Sequence, residues 1–266
     1  MKSLPVFCLF LLGAGTPSLS AQTSFAWPEG KRVAVSLSFD DARASQVLTG
    51  LDLFERQGAK VTFYVNPRSM EKHVEKWRKA VEQGHEIGSH SDAHPCSGNF
   101  PFARKNALED YTLAKLEADL NTADRDIQRL LGTRATTFAY PCGSKFVGRS
   151  VNTQSYVPLV AKRFRAGRGF RDEAANDPAF CDLAQLLGVD SDGMTLDGMK
   201  DAVRKAAQQG GWLVFAGHEI GKPGNQTTEA QVLEDFLRYA KDPANGIWLN
   251  TVDTVAAYIQ KHRTAP

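Results

Sequence analysis

The stretch "VAVSLSFDD", residues 33–41, decides how the rest of the chain is read. It alternates with the two-residue period of a β-strand, so Val33, Val35, Leu37 and Phe39 share one face while Ala34, Ser36, Ser38 and Asp40 share the other. The small-residue face suits a crowded barrel interior. The strand then ends on two adjacent carboxylates, Asp40 and Asp41. A solvated turn or a helix N-cap would account for either one alone, since Asp is common at both.

Working outward, similar runs recur along the chain: "KVTFYV" from Lys60, "HEIGS" from His85, "TTFAY" from Thr136, "FRAGRG" from Phe164, "LLGVD" from Leu186, "WLVFAG" from Trp212 and "IWLN" from Ile247. Between most of them lie helical patterns such as "QVLTGLDLFERQG" (46–58) and "TLAKLEADLNTADRDIQRLLG" (112–132), the second closing on a Gly suited to a helix C-terminus. Such alternation predicts an α/β fold built on parallel strands. No Pro- or Ser-rich linker divides residues 22–266, which are read as one domain. Barrels of this kind collect polar residues at the C-terminal strand ends around one mouth. Asp40 is expected to aim into that mouth, and Asp41, where the pleat ends, to turn toward a neighbouring ligand.

Composition narrows the function. With 266 residues, 42% of them hydrophobic, the chain is long enough for a substantial core. Its 32 basic and 30 acidic residues nearly balance, and no run of Lys or Arg is placed to track a phosphate backbone, which excludes nucleic acid as the expected partner. Residues 1–21, "MKSLPVFCLFLLGAGTPSLSA", read as a signal peptide, too short in apolar length to span a bilayer comfortably. The expectation is an exported protein, periplasmic or extracellular, with no stable membrane insertion after signal removal. Cys8 would leave with the signal. Cys96, Cys142 and Cys181 remain, enough for one disulfide and one free thiol, with the pairing open.

A second polar cluster, "GHEIGSHSDAHP" (84–95), holds three of the six histidines. His90 and His94 are four residues apart, a spacing that brings both rings to one side of a helical turn or tight loop. Joined by a carboxylate from another strand end, they make a facial two-His, one-carboxylate set with open positions for water. His85, earlier on its strand, reads as structural.

Taken together and in order, "SFDD", "HSDAH", "FAYPCG" and "GWLVFAGHEIG" resemble the motifs of the NodB-type polysaccharide deacetylases, carbohydrate esterase family 4, over roughly Val33 to Ile259. The resemblance implies a distorted (β/α) barrel of about seven parallel strands that binds one divalent ion, zinc or alternatively cobalt. It further implies hydrolysis of N-acetyl or O-acetyl groups on a carbohydrate polymer or oligomer. Position by position, Asp40 matches the general base, Asp41, His90 and His94 the metal ligands, His218 the general acid, and the backbone N–H near Cys142 the oxyanion donor. Two adjacent carboxylates then make sense: one holds the ion, the other takes a proton from the attacking water, and the cation lets both stay ionised.

Some positions depart from the family pattern. Ala139 stands where an arginine normally orients the base, and Cys142 where an aromatic residue is usual; Arg43, Arg165 and Arg168 are candidates to supply the missing charge. Cys142 is itself open to three readings: disulfide partner, packing residue or nucleophile. "VDSDGM" offers Asp190 and Asp192 in place of an Asp-Trp pair, and Ala216 replaces a leucine two residues before His218. Two other functions fit the chain: a metal-dependent amidase or imidase acting on a small molecule, and an exported sugar-binding protein without catalysis. The latter should have lost Asp40 or His218, and has lost neither.

Overall fold

The computed structural model describes residues 25–263, so the expected signal segment and Cys8 lie outside the described residues. Eight parallel strands form the central sheet: β1 (Val33–Phe39), β2 (Thr62–Val65), β3 (Glu86–Ser89), β4 (Thr137–Ala139), β5 (Ala166–Arg168), β6 (Val189–Asp190), β7 (Trp212–Gly217) and β8 (Ile247–Leu249). Seven of them run in the order β5-β4-β3-β2-β1-β7-β6. The eighth, β8, pairs with the lower half of β1, at Val33–Val35, while β2 takes the upper half at Ser38 and Phe39. A parallel bridge between Arg168 and Leu186 brings the chain leading into β6 back against β5, so the sheet curls into the distorted barrel that was expected.

The alternation of β1 has the predicted consequence. Val35, Leu37 and Phe39 join the main apolar core, which lies between the sheet and helices α1 (Leu51–Arg56), α3 (Val74–Glu82), α6 (Leu196–Gln208) and α7 (Ala230–Lys241), with the short α2 (Pro67–Met70) between β2 and α3. On the other face, Ser36 Oγ accepts from Trp212 Nε1 at 3.0 Å and Ser38 Oγ donates to the Phe215 carbonyl at 2.7 Å, so the polar face is satisfied inside the barrel. The long α4 (Leu113–Leu131) starts where Thr112 Oγ1 caps Lys115 N and ends at Gly132 in the left-handed region. Helices α5 (Val157–Arg163) and α8 (Val252–His262) complete the outer layer. No described helix is long and apolar enough to cross a membrane.

Two elements differ from the sequence reading. "LLGVD" forms only the two-residue β6, preceded by Gly188, where the chain passes over Arg168 so closely that a Cβ would lie 2.5 Å from Arg168 Cδ. The helix expected from Gln46 opens with a widened π turn, Gln46–Gly50, before α1. That turn buries Gln46, whose Nε2 donates to the carbonyls of Asp40 and His218 at 2.6 and 2.9 Å and so ties the ends of β1 and β7 together.

Beneath the mouth, Tyr64 lies against Gly88, where an added Cβ would sit 2.4 Å from the Tyr64 ring and 2.9 Å from Thr137 Oγ1. Overfilling a packed interior costs about 1–3 kcal/mol. Gly88→Ala is therefore expected to lower the stability by that amount, read as a shift of the urea midpoint; an unchanged midpoint would show that the barrel floor has slack.

Candidate active site

The end of β1 supplies the first two groups. Asp40 N still donates to the Gly217 carbonyl at 2.9 Å, but Asp41 and Ala42 have φ of 72° and 51°, so the pleat breaks between the two carboxylates and aims them differently. The end of β3 supplies the next pair. His90 remains on the sheet, its N–H bonded to the Val65 carbonyl at 2.9 Å, while His94 follows in a tight loop through Ser91 (φ 62°) and is itself at φ 48°. Asp119 on α4 accepts from the amides of Asp92 and Ala93, and Ser91 Oγ accepts from His94 N at 3.1 Å. These contacts fold the HSDAH segment into a loop rather than a helical turn.

Asp41, His90 and His94 converge as the sequence implied. Asp41 Oδ1 lies 3.5 Å from His90 Nε2 and 3.3 Å from His94 Nε2, and the two Nε2 atoms are 3.2 Å apart. His90 Nδ1 sits 2.9 Å from the Ala139 carbonyl, which can only accept, so Nδ1 carries the proton and Nε2 presents its lone pair. Burial, reinforced by His90, pushes His94 down to about 4 and keeps its ring neutral near pH 7. Burial works to raise the Asp41 carboxyl, but His90, His94 and Arg43 together outweigh it and hold the group below its usual value. One carboxylate oxygen and two imidazole lone pairs converging in a half-buried pocket fit a divalent cation.

Asp40, though adjacent, belongs to a different environment. It is buried and ion-paired with Arg168, which is fully buried, donates to the Gly169 carbonyl at 2.8 Å and stacks 4.9 Å over the Tyr64 ring. The choice among the three candidate arginines is thereby made. Arg43 instead binds Asp41 Oδ2 at 2.9 Å, and Arg165 pairs with Asp253 at the N-terminal end of the barrel. The sheet register shows how the substitution works: Arg168 pairs directly with Ala139, so the charge has moved one strand sideways at the same height.

His218 follows β7. Its Nδ1 lies 2.6 Å from Asp192 Oδ2 and its backbone N–H donates to Asp192 Oδ1 at 3.1 Å; Asp190 binds Arg171 instead. Burial alone would lower the imidazole, but the hydrogen bond to Asp192 and the charges of Asp40 and Asp41 overcome it and raise its pKa. Phe170 packs edge-on to His218 at 5.3 Å, an aromatic contact that nothing local in the sequence signalled.

Cys142 lines the same cavity, in a turn where it has φ 53°. It is disulfide-bonded to Cys96, which leaves Cys181 free and removes the nucleophile reading. The cavity holds about 870 Å³, is open to solvent, and carries Phe100 and Phe102 near its mouth, their rings stacked at 5.5 Å.

Residues 28–157 match the family model described as polysaccharide deacetylase. In an alignment 258 positions long that covers 90% of this chain, it is 28% identical to a gellan lyase of a Bacillus species. Over 66 residues it is 41% identical to a peptidoglycan-N-acetylglucosamine deacetylase of Listeria monocytogenes. It spans only 10% of the first of these proteins and 14% of the second. The fold is similar to that of a family 4 acetyl xylan esterase from Clostridium thermocellum solved with a cobalt ion, with a TM-score of 0.56 and 18% identity over 85% of this chain and 91% of that one.

The His218–Asp192 contact yields a measurable consequence. Asp192→Asn removes the charge that raises the imidazole, so His218 should titrate at lower pH in that variant when followed by NMR. An unchanged titration would mean that Asp40 and Asp41, not Asp192, set its protonation.

Proposed function

We propose that this chain, which belongs to the polysaccharide deacetylase family, is an exported, metal-dependent hydrolase that removes acetyl groups, N-acetyl in particular, from a carbohydrate polymer or oligomer. The observation that carries this reading is the separation of roles at Asp40 and Asp41. One carboxylate faces two imidazole lone pairs; its neighbour is clamped by a buried arginine across one cavity from a histidine–aspartate pair.

Asp41, His90 and His94 would hold the ion, zinc or alternatively cobalt. A divalent cation supplies polarisation of the acetyl carbonyl and acidifies a water at that point. Asp40, paired with and aimed by Arg168, takes the proton of the attacking water. Negative charge developing on the acetyl oxygen is met by the backbone N–H near Cys142, one such donor being worth roughly 10²–10³ in rate. His218 donates from Nε2 to the departing amine, while Asp192 holds its Nδ1–H and favours the charged ring.

The open cavity, with its stacked phenyl rings at the mouth, supports a saccharide over a small-molecule amide, which would suit a closed pocket. Retention of base, acid and all three ligands supports catalysis over binding alone. The Cys96–Cys142 disulfide supports an oxidising destination, periplasmic or extracellular.

The reading is tested by treating the two aspartates separately. Asp40→Asn should cost roughly 10²–10⁴ in acetate release while metal content stays at the wild-type level, and Asp41→Asn should lose metal and activity together. Metal loss confined to Asp40→Asn would reverse the assignment.

A further inference from the structure

Two groups of potential metal donors meet at one residue. His94 belongs to the Asp41–His90–His94 set through Nε2, and it also lies beside the disulfide, with Cys96 Sγ 3.7 Å from its Nδ1. The donor atoms of His94, Cys96 and Cys142 all fall within 4.8 Å of one another. While the sulfurs are joined they offer no thiolate. Once reduced, the same three residues become an imidazole and two thiolates, a donor set that zinc favours over carboxylate and imidazole.

We infer that reduction of Cys96–Cys142 creates a second metal site, made of His94 Nδ1 and the two thiolates, which competes with the catalytic set for His94. The competition follows from the ring itself. A neutral imidazole has one lone pair, so coordination through Nδ1 leaves a proton on Nε2 and withdraws that nitrogen from Asp41 and His90. Only this competition rests on the proposed catalytic ion; the sulfur site stands on the cluster alone.

The reducing step is ordinary exchange with an external dithiol. Cys142, which lines the open cavity, is the accessible sulfur, whereas Cys96 is fully buried. The attacking thiolate bonds to Cys142 Sγ, the S–S bond breaks and Cys96 leaves as a thiolate. The reductant's second thiol then closes its own disulfide and releases Cys142, so two electrons pass to the protein. Other bonds keep the two loops in place: Asp119 and Ser91 hold the backbone of 92–94, and the amides of Gly143 and Ser144 bond to the carbonyls of Tyr140 and Pro141. The freed sulfurs therefore stay close to His94. A chain folded under reducing conditions would carry its ion away from the catalytic position, and oxidation would return His94 to it.

Cobalt reads the site directly, because thiolate ligation adds a sulfur-to-cobalt charge-transfer absorption in the near ultraviolet. Oxidised protein loaded with cobalt should lack that absorption. The same protein reduced with a dithiol, then freed of it under nitrogen, should gain the absorption and lose acetate release in step, both reversing on reoxidation. The Cys96→Ser, Cys142→Ser double variant should show no absorption in either state, which excludes Cys181 as its source. Zinc should also slow alkylation of Cys96 and Cys142 by iodoacetamide in the reduced protein. A folded, reduced protein without sulfur-to-cobalt absorption, equal alkylation rates with and without zinc, or loss of fold on reduction seen by circular dichroism would each overturn the inference. Absorption without acetate release in any state would instead leave the sulfur site standing and sink the deacetylase reading.

Discussion

The rest of the site depends on the buried ion pair between Asp40 and Arg168. Its partners come from β1 and β5, four strands apart in the sheet order, and meet only because the sheet curls. Removing one member of a buried pair typically costs about 3–5 kcal/mol, since the other charge is left without compensation. The surroundings are shaped for the guanidinium: Tyr64 underlies it, Gly188 lets the chain pass over it, and Ala139 leaves it room on the neighbouring strand. The loop that follows β5 also brings Phe170 against His218.

The second constraint is electrostatic. Two carboxylates in sequence would raise one another's pKa if they shared an environment. Here the backbone inversion at Asp41 separates them, and each meets its own arginine, Arg168 for Asp40 and Arg43 for Asp41. Asp40 is paired with Arg168, whose guanidinium keeps its charge at any ordinary pH. Asp41 pairs with Arg43 through Oδ2, while Oδ1 faces the His90 and His94 rings and remains free to serve a cation. One residue pair can therefore combine proton transfer with ligation.

Several features were legible because they depend on local periodicity. The alternation of β1, the helical span that closes on Gly132 and the fourfold spacing of His90 and His94 all survive in the structure. What could not be read is set by register and closure. Arg43, Arg165 and Arg168 are equivalent as letters, and only the pairing of Arg168 with Ala139 and the inward curl of the sheet distinguish them. The choice of Asp192 over Asp190 as the partner of His218 turns on two residues at the end of a very short strand. Gln46 was absorbed into a helical pattern, yet the widened turn makes it the clamp between β1 and β7. The disulfide partner of Cys142 was likewise beyond reach, because it depends on how two loops approach rather than on spacing.

The variant third motif, whose missing arginine left three candidate replacements in the sequence, is coherent in three dimensions. Ala139 vacates the position that Arg168 reaches from the next strand. Cys142 replaces an aromatic side chain, which would have tied its loop down by burying roughly 150–250 Å², with a covalent bond to the loop that carries His94. A crosslink spanning 46 residues typically contributes about 2–4 kcal/mol, the same order as the packing given up. The apolar wall is not lost with it, because Phe170 places a ring beside His218 from the loop after β5. The contacts are thus spread over β4, β5 and the β3 loop. The link between the Cys142 loop and the loop that carries His94 is thus a covalent bond rather than a packing contact.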